Sequence, residues 1–199
     1  MRKITKGVYL FDELSEDAKK RAISDNFEIN VDYDWYDTIL FDFIDDCKKI
    51  GISVNYKDIS FSGFYSQGDG ASFVGEVHNV PMFLQNLGAY IPKNIADCID
   101  IRFVRISHSN CHEYTCKTEL EAGFDEYGAD VETEYNEILE IIEKRAEQVR
   151  LDLCKKLYRD LEQTYEDLTS DEGIASTLIA NEYEFYENGE RYCWGYLKK

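Results

Sequence analysis

Four residues in one short stretch carry side chains that can bind zinc: His108, Cys111, His112 and Cys116. Imidazole nitrogens and thiolates are the usual ligands of structural zinc. The spacing H-x-x-C-H-x-x-x-C matches no common zinc knuckle. On a strand, His112 and Cys116 would share one face while Cys111 would lie on the other. We therefore predict a hairpin with a polar tip and no metal.

The segment SQGDG is a second candidate for chemistry, and it comprises Ser66, Gln67, Gly68, Asp69 and Gly70. Gly68 and Gly70 can both take a positive φ, so the segment can form a tight loop that presents the Asp69 carboxylate. It lacks the GK[ST] ending and the following helix of a phosphate-binding loop. Turn propensity alone explains the segment as a hairpin turn, and a nucleotide-binding or hydrolytic loop is the functional alternative.

Motifs of known enzyme classes are absent from the sequence. It contains no GxSxG nucleophile elbow, no HExxH helix and no Rossmann glycine pattern, and His78 has no identifiable partner. Carboxylate pairs occur throughout so acidic a chain and therefore carry little information about acid–base catalysis. We predict a protein that is not an enzyme, with no catalytic residue and no cofactor.

A helix predicted at about residues 32–50 has an acidic face. Its apolar stripe recurs every three to four residues, and carboxylates and aromatic rings lie opposite or beside that stripe. The candidate partner-binding residues are Asp34, Trp35, Asp37, Phe41, Asp42 and Asp45. Aromatic rings anchor protein interfaces and carboxylates attract basic partners, so this face can loosely imitate a row of phosphates. The alternative is a solvated face whose rings are covered by another element.

The chain of 199 residues has 40 acidic and 22 basic residues, for a formal net charge of −18. Two helical regions, 12–46 and 130–172, account for 17 of these charges, at −9 and −8. Such a surface repels nucleic acid and anionic membranes, so we expect neither as a direct partner. It favours a basic protein partner, or it only keeps the chain soluble.

The order of helix and strand signals predicts an α+β fold. Ser15 is an expected helix N-cap, and the segments ISVNY, DISFSGFY, ASFVGEV, IDIRFVRIS and HEYTCKTELEAGF have strand character, the last two joined around Ser109-Asn110. Ser170 is expected to cap a short helix, and Asn188-Gly189 predicts a closing hairpin. We expect a mostly antiparallel sheet of at least four strands with acidic helices packed on it.

A long helical pattern occupies the C-terminal third, from about Asp130 to Leu168. Its apolar positions recur at three to four residues except for one seven-residue step, which leaves a break, a kink or a coiled-coil role open. The predicted stripe is Tyr135, Ile138, Ile142, Val149, Leu153, Leu157 and Leu161.

No Pro/Gly/Ser-rich linker divides the chain, so we predict a single α+β domain over 1–199. The amino terminus lacks a secretory signal and no segment has the length and apolarity of a membrane span, which favours the cytosol. The six cysteines are then expected to be free thiols. The sequence leaves the oligomeric state, including a homodimer, open.

Three stretches, FDELSEDAKKRAI, NYKDISFSGFYSQGDGASF and LYRDLEQTYEDLTSDEGIASTLIANEYEFYENGERY, resemble acidic proteins encoded by bacteriophages and prophages. The FDELS-x-x-A-K opening is similar to sequences labelled as an antitoxin-type amino terminus. The resemblance implies a mobile-element setting in a bacterial cytosol and assigns no catalytic residue. Small acidic phage proteins of this kind are often inhibitors of host defence.

Three functional hypotheses follow. The leading one is a non-enzymatic inhibitor that binds a basic, nucleic-acid-handling host protein such as a nuclease, a helicase or a CRISPR effector, by imitating DNA. The second is an antitoxin that neutralises a cognate toxin by direct contact. The third is a small hydrolase or nucleotide-binding protein that uses the SQGDG loop.

Overall fold

The computed structural model describes residues 7–89, 91–108, 111–123 and 129–193, and for residues 129–134 only the backbone. Contacts group the chain into two compact units. The central unit is residues 36–162, and the terminal unit combines the chain up to residue 35 with the chain from residue 163 onward. The single domain expected over 1–199 stays a prediction.

The fold is α+β, as predicted. In chain order its strands are β1 (Tyr9–Leu10), β2 (Ile52–Ser62), β3 (Gly70–Val77), β4 (Ile99–Arg105), β5 (Cys116–Ala122) and β6 (Glu184–Phe185). Its helices are α1 (Glu16–Asp25), α2 (Asp37–Lys49), α3 (Val80–Asn86), α4 (Lys93–Ala96), α5 (Ala129–Thr169) and α6 (Asp171–Ala180). The turn expected at Ser109-Asn110 lies outside the described residues.

Local signals place several helix ends. The Ser15 hydroxyl accepts a hydrogen bond from the Ala18 N–H at the start of α1, and the Ser170 hydroxyl accepts one from the Gly173 N–H at the start of α6. Gly51 follows α2 with a φ of 86°, a conformation that other residues rarely adopt. These three predictions are confirmed.

The central unit is built on an antiparallel sheet with strand order β2-β3-β4-β5. One face of the sheet is apolar, and Phe73 at its middle lies 5.2 Å from Phe43 of α2 and 5.5 Å from Phe103 of β4, measured between ring centroids. β2 and β5 are the edge strands. The pairing of β2 with β3 shifts between Val54 and Ile59, so residues 55–58 form an irregular, bulged segment.

The long helix α5 is continuous through the seven-residue step that left a break open. Its buried residues are Ile142, Ala146, Arg150, Cys154, Leu157 and Leu161. Val149 and Leu153, predicted in the stripe, are only half-buried. The stripe advances by four residues three times in succession, so Arg150 and Cys154 occupy core positions that an apolar pattern cannot indicate.

The terminal unit combines β1, α1, α6 and β6. Tyr9 pairs with Phe185 in the two-stranded β1–β6 sheet. The core residues of this unit are Phe11, Leu14, Ala18, Ala22, Ile174, Leu178 and Phe185. The predicted turn after β6 is present, because the Gly189 N–H donates to the Tyr186 carbonyl with Gly189 at a φ of 83°. Among the described residues, no helix has the length and apolarity that crossing a membrane requires.

Candidate partner-binding surface

The outer side of α2 carries a pair of exposed aromatic rings. Phe41 is 56% exposed and Tyr56, in the bulged segment of β2, is 38% exposed. Their ring centroids are 5.5 Å apart at an interplanar angle of 36°. Each ring restricts the movement of the other, and more than half of the Phe41 surface stays exposed to solvent.

Three predicted carboxylates belong to the same helix as Phe41, and one of them contacts the pair. The Tyr56 hydroxyl donates a hydrogen bond of 2.5 Å to Asp37 Oδ1, which joins the first turn of α2 to the strand. Asp42 and Asp45 are exposed, and within the described ranges neither makes an ion pair. We call Asp37, Phe41, Asp42, Asp45 and Tyr56 together the α2 surface.

Asp46, the next acid of α2, differs from these carboxylates. It lies 2.8 Å from Lys49 and 3.2 Å from Lys156 of α5. The hydrogen bond from Lys49, followed by that from Lys156, lowers the pKa of Asp46 below its ordinary value. Asp46 thus contributes to the contact between α2 and α5, whereas Asp42 and Asp45 make no ion pair with α5 among the described residues.

Asp34 and Trp35 do not lie on the helix, which corrects their predicted place on its acidic face. The helix begins at Asp37, after a turn in which the Trp35 N–H donates to the Tyr33 carbonyl. Trp35 is half-buried, and its ring centroid lies 5.7 Å from that of Tyr165 in the terminal unit. The start was misplaced because the N-cap is Tyr36, whose side chain makes no capping hydrogen bond, so no preferred capping residue marks where the helix begins.

A groove of about 330 Å³ lies beside the first residues of β2. Its walls are Ile44 and Lys48 of α2, the segment 52–54 of β2 and His78. Ile44 and Lys48 follow Phe41 by three and seven residues, so all three lie along one side of α2. The groove therefore continues the α2 surface toward the start of the strand.

The SQGDG loop is closed by its own carboxylate. Asp69 Oδ2 accepts hydrogen bonds from the backbone N–H groups of Tyr65, at 3.0 Å, and Ser66, at 2.6 Å. Gly68 has a φ of 96°, as the sequence predicted. Gly70 does not have a positive φ; a Cβ there would approach His112 Cα to 2.6 Å, so close packing requires this glycine. The geometry of Asp69 is that of a turn-stabilising residue.

The residues with zinc-binding side chains are not gathered into a site. His112 Nδ1 accepts a hydrogen bond of 3.2 Å from the Tyr114 N–H, at the start of a 3-10 turn, and Cys116 is buried. Among the described residues there is no group of three or more His, Cys, Asp or Glu side chains that could hold a metal ion.

The six cysteines are free. Burial raises the pKa of the Cys47 and Cys154 thiols to about 12 each. A thiol with so high a pKa is protonated at neutral pH and is a poor nucleophile. These two cysteines therefore act as small apolar core residues.

Sequence reasoning missed the ion pair between Arg150 and Glu147, both on α5. The Arg150 side chain is 0% exposed, and its guanidinium donates to Glu147 Oε1 at 2.5 Å, to Glu147 Oε2 at 2.9 Å and to the Glu113 carbonyl at 2.6 Å. Glu147 Oε2 also accepts from the N–H and hydroxyl of Thr118 on β5, at 2.9 and 2.7 Å. The seven-residue gap in the apolar stripe was the available signal.

The pKa values of this pair follow from these contacts. The hydrogen bond from Arg150 lowers the pKa of Glu147 below its ordinary value, and those from Thr118 add to the effect. Burial alone would lower the pKa of Arg150, but the contacts with Glu147 hold it above its ordinary value. Both groups are charged at neutral pH, and the pair links α5 to the edge of the sheet.

Comparison with known proteins gives a family. No curated protein matches the chain significantly, and no solved structure does. A family model described as "Domain of unknown function (DUF8835)" matches residues 35–171, a range that includes the whole central unit. Because the match covers more than half of the chain, the protein belongs to this family.

Proposed function

We propose that the protein is a non-enzymatic inhibitor that binds a basic, nucleic-acid-handling protein through the α2 surface. The observation that carries the proposal is the exposed Phe41–Tyr56 pair, bonded to Asp37, on a helix that also exposes Asp42 and Asp45. Exposed aromatic rings supply binding energy at interfaces, and surrounding carboxylates speed the approach of a basic partner. The formal net charge of −18 also attracts a basic partner, over longer distances.

The arrangement of charge supports a partner rather than solubility alone. Asp46 is held by two lysines, whereas Asp42 and Asp45 on the same helix face solvent. Asp42 and Asp45 are three residues apart on the helix, a spacing at which Cβ atoms lie about 5–6 Å from each other. A nucleic-acid-binding groove that accepts phosphates would accept such a pair of carboxylates.

The resemblance to phage-encoded acidic proteins supports a setting in the cytosol of a bacterial host. Nucleases, helicases and CRISPR effectors are basic proteins present there, and a cognate toxin is the alternative partner. The SQGDG loop gives less support to a hydrolase, because the Asp69 carboxylate is already used by the Tyr65 and Ser66 N–H groups.

Affinity capture from a bacterial lysate tests the proposal. The baits are the wild type, the Phe41→Ala variant and a control variant with three exposed acids of α5 replaced, Glu137→Gln/Glu140→Gln/Glu143→Gln. We expect a nuclease, helicase or CRISPR effector on the wild-type and control baits, reduced on Phe41→Ala and displaced by added double-stranded DNA. Capture of a small toxin would replace the proposal by the antitoxin hypothesis. Equal capture of the same protein on all three baits would contradict the proposal that the α2 surface binds the partner.

A further inference from the structure

The residue before the SQGDG loop carries an aromatic ring that the fold leaves mostly in solvent. Tyr65 is 73% exposed, more than any other large apolar or aromatic side chain in the described part of the chain. A ring contributes to folding mainly through the apolar surface that it buries, so this ring contributes little. The requirements of the turn explain Asp69 and the glycines, but they do not explain an exposed ring at position 65.

The backbone that presents Tyr65 is fixed by the loop. Asp69 Oδ2 accepts hydrogen bonds from the Tyr65 and Ser66 N–H groups, and the Asp69 N–H donates to the Ser66 carbonyl at 3.1 Å. Gly63 has a φ of 35°, and a Cβ at this position would lie 2.6 Å from Asp69 Oδ2. A ring on an ordered backbone loses less conformational entropy on binding than a ring on a mobile loop. The loop thus holds Tyr65 in a position suited to binding.

Two half-buried rings complete an aromatic cluster at the loop. The Phe64 ring centroid is 6.5 Å from that of Tyr65 and 5.7 Å from that of Tyr158 on α5. We call Phe64, Tyr65 and Tyr158 together the loop surface. Tyrosine is enriched among the residues that contribute most to protein interfaces.

Ring contacts connect the loop surface with the α2 surface, and both belong to the central unit. The Tyr36 ring, at the start of α2, is 5.1 Å from the Phe61 ring, and Phe61 is 6.5 Å from Phe64, between centroids. Tyr65 follows Tyr56 by nine residues, which span at most about 30 Å of extended chain. An interface of standard size buries about 800 Å² on each partner, a patch about 30 Å across. One partner is therefore large enough to reach both surfaces.

The charges next to Tyr158 favour a cation. Glu162 lies four residues further along α5, on the same side of the helix. Burial, followed by the negative charges of Glu162 and Asp69, raises the pKa of Tyr158. The exposed Lys155 and Arg159 are close to Tyr158 in the sequence, but neither shifts its pKa. An arginine that packs on a tyrosine ring can at the same time donate to a carboxylate.

We propose that the loop surface is a second contact for the basic partner, with an arginine of the partner packed on Tyr65 and paired with Glu162. The inference rests on the proposed function for the kind of partner. It goes beyond that function because it gives a role to the SQGDG loop, which the α2 surface does not include. The exposed Lys57 is adjacent to Tyr56 and would repel a second cation there, so the arginine is assigned to the loop surface.

N-acetylarginine amide, titrated into the full chain with isotope-labelled tyrosine rings, tests the loop surface without the partner. We expect saturable NMR shifts of the Tyr65 and Tyr158 rings and none of the Tyr114 ring, which is 62% exposed in the same unit. Tyr65→Ala should weaken binding several-fold, whereas Tyr65→Phe keeps the ring and should bind as the wild type does. Shifts that do not saturate, or equal binding by Tyr65→Ala and wild type, would overturn the inference.

Two further baits in the affinity capture separate the inference from the proposed function. Recovery of the partner should fall at least fivefold on Tyr65→Ala and stay unchanged on the matched control Tyr114→Ala. A loss on Phe41→Ala alone would overturn the second contact and leave the proposed function standing. A loss on Tyr65→Ala alone would remove the α2 surface from the proposed function and leave the loop contact standing. A loss on neither variant would overturn both.

Discussion

The two edges of the central sheet use acidic residues in opposite ways. At the β5 edge, Glu147 is held by the buried Arg150 and by Thr118, so its charge serves stability. At the β2 edge, Asp42 and Asp45 face solvent beside an exposed aromatic ring. The number of acidic residues therefore does not show which charges stabilise the fold and which are available to a partner. The contacts of each carboxylate do show this. Four predictions test this contrast, in decreasing order of the change that each variant should cause.

Replacing Arg150 should have the largest of the four effects, a loss of stability. Arg150→Met leaves the Glu147 carboxylate without its cation and the Glu113 carbonyl without its donor, and we expect a loss of about 3–5 kcal/mol in the free energy of unfolding. Urea denaturation followed by circular dichroism measures it. The control Arg159→Met changes an exposed arginine of the same helix and should alter stability by less than about 0.5 kcal/mol. A similar loss in the free energy of unfolding for the two variants would show that Arg150 does not stabilise the β5 edge.

Glu147→Gln should lower stability at neutral pH by up to about 3 kcal/mol, the range for hydrogen bonds to charged groups. Arg150 depresses the pKa of Glu147 in the folded state, so the carboxylate stabilises the fold above its unfolded pKa. That contribution is lost as the pH falls through the folded pKa. The difference between wild type and variant should therefore be largest near pH 7 and shrink below about pH 4.3. Denaturation at several pH values, with Glu143→Gln as a control of equal net charge, checks the trend; a difference that grows in acid would contradict it.

Phe41→Ala should separate binding from stability. Because Phe41 is exposed, the variant should melt within a few degrees of wild type, yet bind the partner about 2 kcal/mol more weakly, mainly through faster dissociation. Trp35→Ala is the opposite case, because Trp35 is half-buried against Tyr165 and its loss should lower the melting temperature. Surface plasmon resonance beside differential scanning calorimetry measures both. Unfolding of the central unit by Phe41→Ala would show that the ring is structural.

Removing the charge of three exposed acids should have the smallest of the four effects, and it should appear in the rate of association. Asp37→Asn/Asp42→Asn/Asp45→Asn should slow association with the partner several-fold at low salt and change dissociation little, because exposed charges mainly set the on-rate. The difference should fade as salt rises, since the Debye length is about 8 Å at physiological ionic strength. Stopped-flow measurements at several salt concentrations test this, with the α5 triple variant as the matched control. An equal on-rate for wild type and variant at low salt would contradict the claim that these carboxylates attract the partner.

The sequence predicted best what depends on near neighbours. The Ser15 and Ser170 caps and the Gly189 turn are set by residues within four positions, and all three are present. The order and antiparallel pairing of β4 and β5 also followed from strand patterns.

Contacts between distant residues were the part that could not be predicted. Arg150 is buried because it meets Glu113, 37 residues away, and Glu147 is held by Thr118, 29 residues away. Contacts between residues so far apart in the sequence produce no periodic pattern that could predict them. The edge position of β2 is equally non-local, because it depends on how four strands are ordered. The acids of α2 were found from the helix pattern, but the ring of Tyr56 that completes their surface comes from another element.

The pairing of Tyr9 with Phe185 has a consequence for the order of events on the ribosome. All contacts within the central unit join residues 36–162, so this unit can fold while later residues are still being translated. The terminal unit cannot, because Phe11 and Leu14 share a core with Ile174, Leu178 and Phe185. Phe11 and Leu14 therefore stay without these core partners until the chain has been synthesised beyond residue 185. In that interval chaperones and proteases can reach them.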